Sequence, residues 1–326
     1  MNILVYEYVL GEEFNENSST TLINEARLII NHIIKDLAQH YPNSKISLLT
    51  NKKNKKIFEN IKTINRDYTH KADEDIINYK DEYEKFLILA PEENQKMYEI
   101  IKSLEANKVD VINCSSNFIK ITGNKIVTYN YLKKLKEHLI NVYTDYKKIN
   151  NNLPVVSKII DGLGSEKLYI FKNREDLENN RDIILNKHFF QKYYEGEVVG
   201  INIIANIDKI KILSINQQIY NYVSKHEIAL DKIFFGKYNN MNNTFNSFVE
   251  KVMDNFEGYN GFFGIDAILT KDNKILFLEI NPRLTTSYIG LSKSLGFNPI
   301  QILNDINYEF NINNNNIFLV DINNEK

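Results

Sequence analysis

Two carboxylates and one amide lie on neighbouring apolar segments late in the chain. The segment GIDAIL carries Asp266, and the segment LFLEIN carries Glu279, with Asn281 two positions later. A turn of the Asp/Asn type, KDNK, lies between them and is typical of a β-hairpin, which would place Asp266 beside Glu279. Because side chains two positions apart on a strand share a face, Asn281 would join the two carboxylates.

Three oxygen-bearing side chains on one face permit two interpretations. Two ionised carboxylates that lie close together repel each other, so they need a cation or a proton between them. Carboxylate and amide oxygens are the ligands that Mg²⁺ takes, usually with water and substrate phosphates completing its shell. The same alternation would also arise on a half-exposed sheet whose polar face meets solvent. The hairpin alone leaves both interpretations open.

A second segment, PVVSKIIDGLGSE, has the residue types of an anion site. Lys158 lies near the end of a predicted strand, and a turn that contains Gly162 and Gly164 follows. Glycine lets backbone N–H groups approach an anion closely, and the lysine adds a positive charge. The alternative is an ordinary hairpin turn with a surface lysine.

A third segment, FFQKYYEGEVVG, runs from an apolar strand into polar residues. Its backbone amide and carbonyl groups could pair with the edge of an adenine, and one of its carboxylates could hold a ribose. The alternative is a charged loop between two strands.

The elements that must position these residues follow from periodicity. In residues 1–115, the segments NILVYEYV, KISLLTN, EKFLILAP and VDVINCS have the composition of strands. Helices are predicted over residues 22–37, over ENQKMYEIIKSLEA and, as a short one, over KKNKKIFENI. Strands that alternate with helices predict a small open α/β domain with a parallel sheet. No GxGxxG follows its first strand, so the dinucleotide-binding fingerprint is missing.

The pattern changes at residue 116. The segment ITGNKIVTYNYLKKLKEHLI is predicted as a helix with Gly123 and Asn124 at its start, and a strand–turn–strand–helix–strand unit completes a small central domain over 116–194. Residues 195–326 are rich in strands and contain one predicted helix over 245–256. We therefore predict a C-terminal α+β domain, with a peripheral tail after Asn311.

Composition excludes several classes of protein. The net charge of −2 and the dispersed lysines argue against a nucleic-acid partner. No apolar run approaches the roughly 18 residues of a membrane span, and the first residues lack the pattern of a signal peptide. The single cysteine, Cys114, is interpreted as a buried apolar residue in a protein of the reducing cytoplasm. The six histidines form no close pair, which argues against zinc.

The order of the three segments resembles the ATP-grasp superfamily, most of whose members join a carboxylate to an amine, and the resemblance covers most of the chain. Its strongest part is GFFGIDAIL with ILFLEINPR, which is similar to the family's metal-binding hairpin. The resemblance implies an N-terminal open parallel α/β domain, a small central lid and a C-terminal α+β domain with an antiparallel sheet. ATP would bind between the last two, together with two Mg²⁺ or Mn²⁺ ions.

The same resemblance assigns roles to individual residues. Asp266, Glu279 and Asn281 would be the metal ligands, and Arg283 and Lys158 would stabilise the transferring phosphoryl group. The residues that would contact ATP are Lys125, Lys158, Gly162, Gly164, Ser165, Gln191, Lys192, Tyr193, Tyr194 and Glu197. Glu197 is the candidate for the ribose, and Glu195 is its alternative.

A narrower resemblance concerns the stretches NILVYEYVLGEEF and EINPRLTTSYIGL. They look like the archaeal tyramine–L-glutamate ligase group of methanofuran biosynthesis, which implies that tyramine is joined to the γ-carboxylate of glutamate through an acyl phosphate. The residues that would lie beside the acceptor pocket are Glu7, Thr285, Thr286, Ser287 and Tyr288. Glu7 would recognise an ammonium group if it faces the cleft; alternatively, it caps or solvates the strand end. The resemblance leaves a homodimer open.

Two other functions are compatible with these residues. One is an ATP-grasp ligase for a different amino acid or peptide. The other is a nucleotide-binding protein that has lost catalysis, and its signature would be an incomplete metal triad. Because the triad and Arg283 are all present, we favour an enzyme.

Overall fold

The structure, a computed structural model, describes residues 1–12, 20–52, 61–66, 68, 70–149, 153–162, 167–181 and 187–322. Two sequence predictions lie outside these ranges. They are the short helix KKNKKIFENI, of which only the end residues are described, and the positions of Gly164 and Ser165.

The N-terminal part forms a parallel sheet flanked by helices, as predicted. Its strands are β1 (Ile3–Glu7), β2 (Ile46–Thr50), β3 (Lys62–Asn65) and β4 (Lys85–Leu89), in the spatial order β3-β2-β1-β4. Its helices are α1 (Tyr8–Gly11), α2 (Thr20–His40), α3 (Ala72–Ile77) and α4 (Lys96–Ala106). The apolar face of α2 packs on the sheet, with Ile30, Ile33 and Leu37 buried. Helical spacing of apolar residues therefore predicted this helix and its buried face.

The predicted strand VDVINCS is wrong. Among the described residues it contributes a single parallel bridge, between Val111 and Phe86. The side chain of Asn113 then takes over the pairing, since it accepts from the backbone N–H of Ile88 at 3.0 Å and donates to the carbonyl of Ile88 at 2.7 Å. An asparagine amide therefore satisfies the backbone groups that a further strand would have paired.

The single helix predicted over 121–140 is wrong, because Gly123 and Asn124 separate two short helices, α5 (Ser116–Thr122) and α6 (Lys125–Tyr131). Gly123 ends α5, and the side chain of Asn124 accepts from the N–H groups of Ile126 and Val127 at the start of α6. The N-cap makes Lys125 the first residue of α6.

A large second sheet forms the rest of the molecule, and its described pairings are antiparallel. Its strands are β5 (Val142–Tyr143), β6 (Val155–Ile159), β7 (Leu168–Phe171), β8 (His188–Lys192), β9 (Gly196–Ala205), β10 (Ile210–Tyr222), β11 (Glu227–Phe235), β12 (Gly261–Thr270), β13 (Ile275–Asn281) and β14 (Phe318–Asp321). The order is β13-β12-β9-β10-β11-β7-β6-β8-β5, and β14 also pairs with β11. The helices are α7 (Arg174–Asn179), α8 (Asn242–Met253), α9 (Leu291–Leu295) and α10 (Ile300–Asn304).

The tail after Asn311 is part of the fold, so the prediction that it is peripheral is wrong. Its strand β14 pairs with β11, and Ile312 and Val320 are buried. The sequence pattern did not predict β11 as a strand. Polar residues such as Asp231 and Lys232 interrupt the apolar character of β11. Its identity as a strand therefore depends on pairing with β10 and β14.

The hydrophobic core connects the two large parts of the chain. One buried cluster joins Leu4 and Tyr6 of β1 to Ile265 of β12 and Phe245 of α8. The strands β5 to β8, here called the central strands, contribute to a separate small cluster. It is formed by Ile149, Val155, Phe171, Leu177 and Phe190. No helix in the described part of the chain has the length and apolarity needed to cross a bilayer.

Candidate active site

The hairpin of β12 and β13 places the two carboxylates opposite each other. Asp266 pairs in register with Glu279, and a bulge follows between Asp266 and Ala267. Asn281 lies two residues beyond Glu279 on the same strand and donates its amide N–H to Asp266 Oδ2 at 2.9 Å. Because that nitrogen is committed to Asp266, the side-chain oxygen of Asn281 is left as an acceptor.

Two lysines approach the carboxylates from the central part of the chain. Lys125, at the start of α6, places Nζ 3.2 Å from Glu279 Oε2 and donates to the carbonyl of Gly162 at 3.0 Å. Lys158 lies on β6, and burial lowers its pKa, although the negative charge of Glu279 opposes that shift. The lysines and the carboxylates thus meet although their elements are distant in sequence.

The surroundings of the two carboxylates shift their pKa values in opposite directions. Burial, reinforced by the charge of Glu279, raises the pKa of Asp266 to about 7. Burial also opposes ionisation of Glu279, but Lys125 and Lys158 outweigh it and hold the pKa of Glu279 below its ordinary value. Bringing two negative charges this close is unfavourable unless a further positive charge relieves them.

The donor set fits a divalent cation. Glu279 is buried, and its Oε2 has an ion-pair partner in Lys125 but no aligned hydrogen-bond donor within the described ranges. Together with Asp266 and the oxygen of Asn281, it offers the all-oxygen set that Mg²⁺ or Mn²⁺ prefers.

A cavity of about 360 Å³ opens on one side of the hairpin, between the central strands and β9 and β10. Six of the residues predicted to contact ATP line it, namely Lys158, Gln191, Lys192, Tyr193, Tyr194 and Glu197, whereas Lys125 and Gly162 do not. Gln191 is buried, and its Oε1 has no hydrogen-bond partner in the described part of the chain. An unsatisfied acceptor in a cavity of this size is suited to a ligand that donates hydrogen bonds.

The two candidate ribose carboxylates lie in different places. Glu197 lines this cavity, and its Oε2 lies 3.2 Å from Nζ of Lys237. Glu195 is largely exposed, pairs with Lys271 at 2.9 Å and does not line the cavity. The geometry therefore favours Glu197 for a ribose.

A larger cavity of about 630 Å³ lies between the N-terminal sheet and the hairpin. Four residues line both cavities and mark where they meet: Gln218, Tyr220, Asp266 and Glu279. Glu7, Thr285, Thr286 and Ser287 also line the larger cavity, as predicted for an acceptor pocket. The paired carboxylates thus lie between two cavities.

Tyr288 does not line either of these cavities. Its ring is buried against Phe262, and its hydroxyl donates to Asp36 Oδ2 at 2.9 Å. The structure therefore places Tyr288 at the packing of α2 against the C-terminal part, away from the other four predicted acceptor residues.

Arg283 lies at the wall of the larger cavity and forms a buried ion pair that the sequence did not reveal. Its Nε and Nη2 donate to the two oxygens of Glu92 at 3.0 and 3.3 Å. Glu92 follows β4 of the N-terminal sheet and is one acid in the charged stretch PEEN, so no residue pattern singled it out. Glu7 and Glu25 also contribute negative charge near Arg283.

Glu7 caps a helix and also faces the larger cavity. Its carboxylate caps α1 by accepting from Leu10 N–H at 2.7 Å, and its side chain also lines the larger cavity. Burial raises its pKa to about 7, although the backbone N–H groups of Leu10 and Val9 and the charge of Arg283 oppose the shift.

The raised pKa of Glu7 predicts a pH-dependent stability. The folded protein binds this proton more tightly than the unfolded chain, so the contribution is complete below the ordinary pKa and is lost as pH rises toward 7. Glu7→Gln keeps the cap acceptor and removes the titration. We expect the free energy of unfolding, measured with urea between pH 5 and 8, to fall by about 3 kcal/mol more in the wild type than in the variant. Parallel pH profiles would contradict this.

The comparisons with known proteins agree with this geometry. Residues 122–287 match the ATP-grasp domain family. The chain is 28% identical over 314 residues to a tyramine–L-glutamate ligase of Methanocaldococcus fervens, covering 94% of this chain and 95% of that protein. It is 26% identical to the enzyme of the same name from Methanocaldococcus jannaschii, covering 94% and 90%.

Solved structures share the fold at low sequence identity. A protein of Archaeoglobus fulgidus assigned to the ATP-grasp superfamily superposes with a TM-score of 0.72 at 18% identity, covering 93% of this chain and 88% of that one. The biotin carboxylase domain of a 2-oxoglutarate carboxylase from Hydrogenobacter thermophilus, solved with MgADP, gives 0.69 at 13% identity, covering 93% and 68%. The family match spans half of the chain and includes the hairpin, both lysines and the segment 191–197, and so the protein belongs to the ATP-grasp family.

Proposed function

We propose that the protein is an ATP-dependent ligase that joins a carboxylate to an amine and releases ADP and phosphate. The observation that carries the proposal is the position of Asp266 and Glu279 where the two cavities meet. A phosphoryl group that moves from a nucleotide in one cavity to a carboxylate in the other would pass this pair. The preferred substrates are the γ-carboxylate of L-glutamate and tyramine, as the names of the relatives suggest.

The smaller cavity would hold ATP. Gln191, Lys192, Tyr193 and Tyr194 would contact the adenine, and Glu197 the ribose. Lys125 and Lys158 would lie against the phosphates, together with Gly162 and the adjoining Gly164 and Ser165. Fixed positive charges are suited to this role because phosphoryl transfer is accelerated mainly by positioning and by neutralisation of charge.

Asp266, Glu279 and Asn281 would hold Mg²⁺ or Mn²⁺, and we propose two ions. A bound divalent cation supplies Lewis-acid stabilisation of charge on the phosphate oxygens. Arg283, held at the wall of the larger cavity, would add positive charge on the acceptor side.

The larger cavity would bind the acid and the amine. Near α2 its wall is apolar, with Leu22, Ala26, Ile29 and Leu89, which suits an aromatic ring. Glu7 and Glu25 add negative charge to the same wall, which suits the cationic form of an amine. Thr285, Thr286 and Ser287 offer hydroxyl groups beside Arg283.

The reaction would proceed in two steps. The γ-phosphate of ATP passes to an oxygen of the acid, which forms an acyl phosphate and ADP. The amine nitrogen then attacks the acyl carbon, phosphate leaves with the bonding electrons, and the nitrogen loses a proton to give the amide. Exclusion of water would protect the acyl phosphate, and we assign this task to a lid over 116–194, between an N-terminal domain (1–115) and a C-terminal domain (195–326).

A product assay tests the proposed function. Purified protein with Mg²⁺, ATP, glutamate and tyramine is expected to release ADP only when both substrates are present, and mass spectrometry should detect γ-glutamyltyramine. A panel of other amines and amino acids tests the substrates separately from the reaction. An amide from another pair would overturn the named substrates, whereas ATP binding without turnover on any pair would overturn the ligase.

A further inference from the structure

Two polar residues on β10, Gln218 and Tyr220, lie at the boundary of both cavities. They are two positions apart on the strand and therefore share a face. Gln218 Nε2 donates to Asp266 Oδ1 at 2.8 Å, and the Tyr220 hydroxyl donates to Gln218 Oε1 at 3.0 Å. Neither residue belongs to the hairpin that carries the carboxylates.

The hydrogen bond between Gln218 and Asp266 crosses an intervening strand. In the sheet, β9 lies between β10 and β12, and its Gly200 pairs in register with Asp266. A Cβ atom at Gly200 would lie 2.5 Å from Gln218 Nε2 and 3.3 Å from Asp266 Oδ1. Glycine at this position therefore leaves the space through which the Gln218 amide reaches the carboxylate.

The hydrogen-bond types determine the direction of the amide. An ionised carboxylate can only accept, so the nitrogen of Gln218 must face Asp266. At the other end of the amide, the Tyr220 hydroxyl donates to Gln218 Oε1, which disfavours exchange of the amide oxygen and nitrogen positions. With Asn281 on Oδ2, each oxygen of Asp266 then accepts one amide N–H, which fixes the plane of the carboxylate.

We propose that Gln218 is a positioning residue that orients Asp266 for a divalent cation. Tyr220 holds the Gln218 amide in place, and the absence of a side chain at Gly200 leaves room for it. The inference rests on the metal site proposed above and adds three residues from β9 and β10 to it. Partners that orient a ligating carboxylate typically change metal affinity or activity 10- to 100-fold when they are removed.

A binding measurement tests the proposal without turnover. Mn²⁺ is titrated into the ADP-loaded protein, and the loss of the electron paramagnetic resonance signal of free Mn²⁺ reports the bound fraction. Gln218→Met keeps the side-chain length and removes the donor. Gly200→Ala leaves Gln218 in place and obstructs its path. We expect each to weaken Mn²⁺ binding about 10- to 100-fold. Tyr220→Phe is expected to weaken it about fivefold, since one hydrogen bond that orients the amide is lost.

Controls separate orientation of Asp266 from general damage. Gln39→Met and Tyr131→Phe make the same chemical changes at exposed positions and should bind Mn²⁺ as the wild type does. Affinity for ADP without metal, and urea unfolding, should change little in Gln218→Met. In a Gln218→Ala background, Gly200→Ala should have no further effect on Mn²⁺ binding, because the amide that it would displace is already absent.

Two outcomes would overturn the inference. If the wild type binds Mn²⁺ and Gln218→Met binds it equally well, Gln218 does not orient Asp266, while the proposed metal site survives. If the wild-type protein with ADP binds no Mn²⁺, the proposed metal site fails and this inference fails with it.

Discussion

Replacing Glu279 by glutamine is expected to reduce ATP-dependent amide formation about a thousandfold or more, because loss of metal stabilisation costs several kcal/mol in the transition state. Glu279 is buried, faces Asp266 in register and lies 3.2 Å from Lys125 Nζ. Glutamine has almost the same shape but no negative charge. The lysines would then lack their counter-charge, and the hairpin would lose its central carboxylate. Initial rates of ADP release with saturating substrates would measure the effect.

A matched substitution shows whether the loss is specific to the site. Glu257→Gln makes the same chemical change at an exposed position and should keep the wild-type rate. Urea unfolding of Glu279→Gln should show that the folded state persists. Wild-type turnover in Glu279→Gln would remove the basis for the metal site and for the proposed reaction.

Replacing Arg283 by methionine is expected to destabilise the protein by about 3–5 kcal/mol and to abolish turnover, because loss of one partner leaves buried charge uncompensated. Glu92 is buried and receives two hydrogen bonds from the guanidinium. The negative charges of Glu7 and Glu25 also lie close enough to Arg283 to raise its pKa. Without Arg283, the buried carboxylate of Glu92 would lose two hydrogen bonds, and Glu7 and Glu25 would lose a neighbouring positive charge.

Replacing Glu92 by glutamine should lower the free energy of unfolding less than replacing Arg283 by methionine does. In Glu92→Gln the guanidinium keeps a hydrogen-bonding partner and still interacts with Glu7 and Glu25. Urea unfolding at neutral pH of both variants, and of the double variant, would measure the asymmetry. Equal costs for Arg283→Met and Glu92→Gln would show that the neighbouring carboxylates do not contribute.

Local sequence predicted where several residues of the candidate site lie in the fold. The hairpin of Asp266 and Glu279 follows from alternation and a short polar turn, which are properties of adjacent residues. Lys158 lies on β6, and the segment 191–197 runs from the end of β8 to the start of β9. The apolar residues of these strands predicted their positions. The prediction of a strand over VDVINCS is wrong because the Asn113 side chain pairs with the backbone N–H and carbonyl of Ile88. The strand β11 was missed because its pairing with β10 and β14 stabilises a sequence with many polar residues.

By itself, the sequence determined many of the strands and helices and the hairpin with its three oxygen-bearing side chains. It indicated a nucleotide site only through the order of its segments. The tertiary structure decided the partners: Glu92 for Arg283, Gln218 for Asp266, Asp36 for Tyr288, and the meeting of two cavities at one carboxylate pair. These partners are far apart along the chain and are ordinary polar residues in their own segments. Local periodicity reports which face of an element is buried, whereas a hydrogen bond between distant elements depends on how those elements pack.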